Sequence, residues 1–268
     1  MKKAKEPVKK AQKEAAQKEA AETDRKKAAG QKRAADQSKA AGRNQASGQN
    51  QAADQDQAEK KKLALEVISR LKKAYPVADC TLDYNEAWKL LVSVRLAAQC
   101  TDARVNVVVE DLYARYPDVD SLAQAEVADI EAIVKPCGLG HSKARDISAC
   151  MKILRDQHGS RVPDDFDALL ALPGVGRKSA NLIMGDVFGK PAIVTDTHCI
   201  RLTNRIGLVD GIKEPKKVEM ALWKIVPPEE GSDFCHRLVY HGREVCTART
   251  KPFCDRCCLQ DICAQNGI

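Results

Sequence analysis

Residues 172–178 (Leu-Pro-Gly-Val-Gly-Arg-Lys) form the first group whose residue types could do chemistry. Gly174 and Gly176 allow a tight turn that leaves backbone N–H groups bare at the start of a following helix, and such a site favours an anion. A DNA phosphate suits it, because backbone amides bind a phosphate without reading a base. The adjacent Arg177 and Lys178 favour nucleic acid over the alternative, an ordinary helix C-cap and turn.

Four cysteines near the C-terminus form the second group, with the spacing C-x7-C-x2-C-x5-C. They are Cys246, Cys254, Cys257 and Cys263. The lysine-rich start contains no apolar export signal, so clustered thiols favour a metal or an iron–sulfur cluster over disulfides. Four thiolates suit either Zn²⁺ or a [4Fe–4S] cluster. Cys258 adjoins Cys257 and could compete as a ligand.

The positive charge of the chain lies in its first quarter. Residues 1–62 carry 17 Lys and Arg against 9 Asp and Glu, whereas residues 63–268 carry 27 against 28. The first segment has no cysteine, no aromatic residue and few apolar residues other than alanine. We therefore expect a disordered, low-complexity basic tail that buries no core. It is either a solvated tail or a polycationic arm that adds nonspecific affinity for nucleic acid.

The hairpin residues and the four cysteines must be positioned by the helices of the remaining chain. Apolar residues recur at helical spacing from residue 63 onward, and no stretch alternates apolar and polar residues over the length of a strand. The pattern predicts an all-α fold. Helices are expected over 63–75, from a cap at Asn85 through Leu96, and over 102–116, 127–134, 142–158, 166–170, 177–188, 197–206, 215–226 and 232–241.

No apolar run approaches the roughly 18–20 residues that a bilayer requires. We therefore expect an intracellular protein, cytoplasmic or nucleoid-associated, without a membrane partner.

The motifs resemble those of the helix–hairpin–helix DNA glycosylases. Residues 172–178 and, eighteen residues after Lys178, Asp196 match the hairpin, Gly/Pro-rich loop and Asp signature of that superfamily. The four cysteines make the chain similar to its iron–sulfur branch, the endonuclease III family. Two further segments agree, 97–102 and 137–144.

The resemblance implies two helical domains that flank a DNA-binding cleft. Residues 80–190 would form a helical barrel with the helix–hairpin–helix motif at about 165–188. Residues 63–79 and 191–268 would form the domain that holds a [4Fe–4S] cluster on the four cysteines. The chain has seven residues between the first two cysteines, one more than the family's usual six.

The resemblance also implies a base excision repair enzyme that acts as a monomer on double-stranded DNA with a damaged pyrimidine or an abasic site. Lys178 would attack the sugar C1′, displace the base and form a Schiff base that permits β-elimination. Asp196 would assist the amine and stabilise positive charge at the sugar. An alternative role for Asp196 is an N-cap of the helix that begins at Thr197.

The remaining DNA contacts also follow from the resemblance. Gln99 would face the orphan base and Leu139 would wedge between neighbouring bases. A capping Gln and a core Leu are the ordinary alternatives. His198 would lie at the mouth of the cleft, and a surface or capping histidine is an equal alternative. Phosphate contacts are expected from the hairpin residues Gly174, Gly176 and Arg177 and from Arg249, Lys251 and Arg256 in the cysteine loop.

Two other functions remain open from the sequence. A monofunctional mismatch glycosylase of the same superfamily would use an activated water, which needs no amine at Lys178. A noncatalytic DNA-binding iron–sulfur protein would leave Lys178 and Asp196 without a chemical role.

Overall fold

Eleven α-helices follow one another in residues 54–268, the part of the chain that the computed structural model describes, and these residues contain no strand. The first, α1, covers residues 54–74 within that part. The others are α2 Ala87–Leu96, α3 Asp102–Arg115, α4 Val119–Gln124, α5 Val127–Val134, α6 Gly140–His158, α7 Phe166–Ala171, α8 Arg177–Asp186, α9 Thr197–Ile206, α10 Pro215–Leu222 and α11 Gly231–Glu244. Short 3-10 helices lie at Lys135–Cys137, Pro228–Glu230 and Cys254–Arg256.

The prediction of an all-α fold is confirmed, although several helix ends, one cap and one helix differ from it. Asn85 is not the cap of α2, because the N-cap is Glu86 and the Asn85 side chain accepts a hydrogen bond from Lys89 instead. Helix α4 was not predicted. It has only six residues, and its signal is a capping box in which the Asp118 carboxylate accepts a hydrogen bond from the Ser121 N–H at 2.7 Å.

Residues 58–268 form one compact unit. Most of the predicted basic tail, residues 1–53, lies outside the described residues. Residues 54–62 were expected to belong to that tail, but they are helical. Alanine, glutamate and lysine at 58–62 are strong helix formers and extend α1 without a breaker. The predicted division into 80–190 and 63–79 with 191–268 stays a prediction.

The core follows from the amphipathic faces of these helices. The 19-residue α6 buries Ala144, Ile147, Met151 and Leu154, which recur at intervals of three or four residues on one face. Each large side chain of this kind contributes about 1.5–3 kcal/mol on burial. No helix in residues 54–268 combines the length and apolar character of a membrane span.

The helix before the hairpin has a side-chain cap, and the turn between α7 and α8 packs against Arg95. Asp165 caps α7 by accepting a hydrogen bond from the Ala168 N–H at 2.8 Å. Gly174 has a φ of +76°, and a Cβ there would lie 2.7 Å from Cδ of Arg95. Arg95 in turn donates to Asp146 of α6 at 2.7 Å. Glycine is required at 174 for both its backbone conformation and this close approach.

An ion pair fixes the start of α8 against α10. Arg177 donates to both carboxylate oxygens of Glu219, Nε to Oε2 at 2.6 Å and Nη2 to Oε1 at 2.7 Å. The Glu219 side chain is only 1% exposed, so its charge depends on this bidentate partner. The guanidinium also lies 4.9 Å from the centre of the Phe166 ring. The pair therefore joins α7, α8 and α10.

We predict that Arg177→Met lowers the free energy of unfolding by about 3–5 kcal/mol, because it leaves the buried Glu219 carboxylate without a partner. The double variant Arg177→Met/Glu219→Met removes both charges and should recover most of that loss. Urea unfolding of the three proteins measures the difference. A single variant as stable as the wild type would contradict the importance of the pair.

Candidate active site and nucleic-acid interface

A cavity of about 330 Å³ brings together the two residues that sequence analysis singled out for chemistry, Lys178 and Asp196. Its wall combines residues from both predicted domains. The other lining residues that matter below are Thr81, Ala98, Cys100, Asp102, His198, His236 and Arg243. The cavity is open to solvent and contains both charged and apolar wall, so it suits a planar polar group that enters from outside.

Lys178 lies in the first turn of α8, two residues after Gly176, which is the N-cap. The residue is exposed, and none of the described residues forms an ion pair or hydrogen bond with its ammonium. Its positive charge reaches Asp102 on the cavity wall. Burial opposes the charge of Asp102, but hydrogen bonds from Thr81 and Arg243, together with the charges of Arg243 and Lys178, lower the pKa of the Asp102 carboxyl.

Asp196 is the N-cap of α9, and its Oδ1 accepts a hydrogen bond from the Cys199 N–H at 2.7 Å. The capping role considered from the sequence is therefore present. It does not exclude the chemical role, because the cap occupies one oxygen while the residue also lines the cavity with Lys178. The helix N-terminus stabilises the negative charge of this carboxylate.

His198 lines the cavity two residues after Asp196. Burial lowers the pKa of its imidazole below the usual 6.5, despite the opposite effect of Asp196. The ring is therefore neutral at neutral pH. Arg201 Nη2 lies 3.2 Å from Nδ1 and donates to it, which leaves Nε2 to carry the proton. Gly242 makes this arrangement possible, because a Cβ there would lie 2.4 Å from Nδ1.

Gln99 and Leu139 occupy two exposed turns with the same unusual backbone. Gln99 has a φ of +59° and Leu139 a φ of +52°, values that residues other than glycine rarely adopt. Gln99 lies between Ala98 and Cys100, which both line the cavity. Leu139 is 57% exposed, so the alternative of a core leucine is wrong. Strained, exposed residues of this kind cluster at ligand-binding sites.

The basic residues expected at phosphates have different environments. Arg177 is paired with the buried Glu219, and its expected contact with a DNA phosphate stays a prediction. Arg249 and Lys251 are exposed in the cysteine loop. Arg256 lies 4.2 Å from the centre of the Phe253 ring and donates to the Glu244 carbonyl oxygen at 2.9 Å. This loop is a rigidly supported positive surface.

The four predicted ligand cysteines line one apolar recess, and Cys258 does not. This arrangement agrees with Cys257, rather than its neighbour Cys258, as the predicted ligand. Leu259 N–H and Gln265 N–H lie 3.4 Å from the sulfurs of Cys257 and Cys263 and donate to them. Arg205 Nη1 lies 3.3 Å from the sulfur of Cys246.

Donors of this kind stabilise thiolates in metal and iron–sulfur sites. The four cysteines and the N–H groups near their sulfurs therefore fit a metal ion or an iron–sulfur cluster. No set of three side chains within residues 54–268 already has coordinating geometry.

The extra residue between the first two cysteines is accommodated inside the loop. The Phe253 N–H donates to the Val245 carbonyl oxygen at 3.0 Å, and the Thr247 and Thr250 hydroxyls lie 2.9 Å apart. These bonds close the loop from residue 247 to 253. The insertion leaves Cys246 and Cys254 in the same recess.

Sequence reasoning missed a second histidine of the cavity. His236 lines it, and its Nε2 lies 2.8 Å from Oδ1 of Asp186, which also accepts from the Ser232 hydroxyl. Asp186 is nearly buried, at 7% exposure. The two residues lie fifty positions apart, and no local motif links them, so only the packing of α8 against α11 reveals the pair.

Comparison with known proteins agrees with this site. Residues 92–228 match the model of the HhH-GPD superfamily base excision DNA repair protein. The chain is 44% identical over 206 residues to endonuclease III of Synechocystis sp., which covers 76% of this chain and 93% of that protein. It is 39% identical over 203 residues to endonuclease III of Escherichia coli, which covers 76% and 95%.

Two similar solved structures contain DNA. One is a non-covalent endonuclease III–DNA complex, with a TM-score of 0.73, 36% identity and coverage of 76% of this chain and 95% of that one. The other is a trapped endonuclease III–DNA covalent intermediate, with the same TM-score and identity and coverage of 76% and 96%. The chain therefore belongs to the endonuclease III family, within the HhH-GPD superfamily of base excision DNA repair proteins.

Proposed function

We propose that this protein is a bifunctional DNA glycosylase and abasic-site lyase that removes damaged pyrimidines from double-stranded DNA. The observation that carries the proposal is the cavity, whose lining contains both Lys178, without an ion-pair or hydrogen-bond partner among the described residues, and the capping Asp196. Its volume, about 330 Å³, suits a single extruded base. A damaged base cannot be reached inside the duplex, so the nucleotide must leave the stack before reaction.

Lys178 supplies the nucleophile. Its Nζ, once neutral, forms a bond to C1′ while the glycosidic bond breaks and its electron pair leaves with the base. Opening of the sugar ring gives a Schiff base between C1′ and the lysine. A proton then leaves C2′ as the 3′ phosphate departs with its electron pair, and water hydrolyses the imine to release Lys178. This covalent route argues against a water-activating, monofunctional enzyme.

Asp196 and His198 support the same step from α9. The Asp196 carboxylate stabilises positive charge that develops at the sugar and accepts the proton that the amine must lose. His198 is neutral, and its protonated Nε2 is the donor that it offers to the leaving base. Both residues belong to the same chain as Lys178, which supports a monomer as the active form.

The surface beside the cavity would hold the DNA. Gln99 and Leu139 fill the gap left by the extruded nucleotide, the amide facing the orphan base and the leucine wedging into the stack. The backbone N–H groups of Gly174 and Gly176 and the cations Arg249, Lys251 and Arg256 would contact phosphates. Arg177 pairs with Glu219 but is 35% exposed, so it would also contact a phosphate. Because its substrate would be chromosomal DNA, we expect the protein at the nucleoid.

The four cysteines Cys246, Cys254, Cys257 and Cys263 would hold a [4Fe–4S] cluster. The apolar recess and the N–H groups directed at their sulfurs support this assignment. When bound, the cluster supplies structural cross-links, since base excision moves no electrons. It would fix the loop that presents Arg249 and Lys251.

The test of the function is Lys178→Ala. It should abolish the covalent adduct that borohydride traps on an abasic duplex, and with it strand cleavage, while binding to that duplex stays largely intact. Lys152→Ala, which removes an exposed lysine that does not line the cavity, is the matched control. An undiminished adduct in the Lys178 variant would assign the nucleophile to another residue.

A second prediction separates the two roles of Asp196. Asp196→Asn should keep the fold, because asparagine caps helices as well as aspartate does. Excision under single-turnover conditions should fall by roughly 10²–10⁴-fold, the range for loss of a positioned acid–base group. Asp165→Asn changes the corresponding cap of α7, away from the cavity, and should leave the rate unchanged. A normal rate for Asp196→Asn would leave it only the capping role.

A third prediction concerns the cluster. Protein purified without oxygen should be yellow-brown and contain about four iron atoms per chain. Cys257→Ser should lose this iron, whereas Cys258→Ser should retain it, because only Cys257 lines the recess. Iron content and visible absorbance are the measurements. Stoichiometric zinc without iron would contradict the assignment.

A further inference from the structure

Lys143 is a buried cation far from any carboxylate partner. It lies in the first turn of α6 and its exposure is 0%. Its Nζ donates to two backbone carbonyl oxygens, those of Leu96 and Cys137, both at 2.8 Å. Burial lowers the pKa of this ammonium, and the nearby Arg95 acts in the same direction, against the thiols of Cys100 and Cys137.

The two acceptors end two different helices. Leu96 is the last residue of α2, and Cys137 is the last residue of the 3-10 helix before α6. Carbonyl groups at helix C-termini lack partners within the helix and carry the negative end of the helix dipole. An ammonium is therefore a suitable bridge between them. The energetic cost of burying it is large unless both acceptors stay in place.

Each helix end leads directly to a strained, exposed residue. Gln99 follows Leu96 by three positions, and Leu139 follows Cys137 by two. They are two of the four non-glycine residues with positive φ among residues 54–268. A backbone of this kind persists only where its surroundings determine it. Lys143 is the one side chain that bonds to the backbone immediately before both turns, within the described hydrogen bonds.

We propose that Lys143 is a positioning residue that joins the turns of Gln99 and Leu139 into a single rigid unit, so that both side chains enter the duplex together. The inference rests on the proposed function, because it assigns a mechanical role within base extrusion. Lys143 does not line the cavity that contains Lys178 and Asp196. Its loss should therefore impair extrusion of a base and leave the bond chemistry at C1′ intact.

The test is Lys143→Met, which keeps the length and apolar stem of the side chain and removes both hydrogen bonds. Single-turnover excision of thymine glycol from a duplex should fall about 10- to 100-fold, as expected for loss of charge-assisted hydrogen bonds. Cleavage of a preformed abasic site, which has no base to extrude, should change by less than about threefold. The dependence of excision on the opposite base should weaken, because Gln99 loses its fixed position.

Ile147→Val is the matched control, since it perturbs the buried face of the same helix without touching either turn. It should lower stability slightly and leave the ratio of excision to abasic cleavage unchanged. An equal loss on both substrates in Lys143→Met, or no loss on either, would overturn the proposal. Failure of the wild-type protein to excise or to form the borohydride adduct would instead refute the proposed function.

Hydrogen exchange provides a test that does not depend on activity or on the folding of a variant. In the wild-type protein, the hydrogen-bonded amides of Ala97, Cys100 and Gly138 should exchange through a common opening with the same free energy, because release of Lys143 frees both turns. Opening of the two segments with clearly different free energies would overturn the proposal even if Lys143→Met does not fold.

Discussion

The buried carboxylate of Glu219 is the constraint on which the geometry of the active site depends. A charge at 1% exposure requires a partner in a fixed place, and Arg177 meets this requirement through two hydrogen bonds of 2.6 and 2.7 Å. Arg177 directly precedes Lys178, so the pair sets the direction in which α8 begins. Lys178, the proposed nucleophile, is thus positioned by its neighbour, while none of the described residues pairs with its ammonium.

The turn before α8 is also fixed by a neighbouring arginine. Gly174 packs against Arg95, and Arg95 holds Asp146 of α6. In the first turn of α6, three residues before Asp146, Lys143 donates hydrogen bonds to the ends of two other segments. The hairpin proposed to contact phosphate and the two turns proposed to contact bases are therefore all bonded to or packed against α6 or its partners. A displacement of α6 would move all of them together, which suits an enzyme that must test a duplex with several contacts at once.

Local signals explain what the sequence could predict. Apolar periodicity and breakers located most helices, and the spacing of the cysteines selected the four that line one recess. The hairpin motif and Asp196 led to the two residues that share the cavity. The roles of Arg177 and Lys143 were not predictable in this way. Arg177 bonds to Glu219 and Lys143 to the carbonyl oxygen of Leu96, and both acceptors lie more than forty residues away in the sequence. No local sequence pattern marks either acceptor.

Exposure of Lys178 in the absence of DNA has a physical reason. An amine that meets only water has no electrophile to attack, so an open cavity carries little risk to other molecules. Selectivity then comes from what can enter the cavity. Extrusion costs least for a damaged or mispaired base. In the proposed function, the turns at Gln99 and Leu139 contact the duplex at the gap that this base leaves. Selectivity would then depend on the cost of extrusion and on these turns rather than on Lys178 itself.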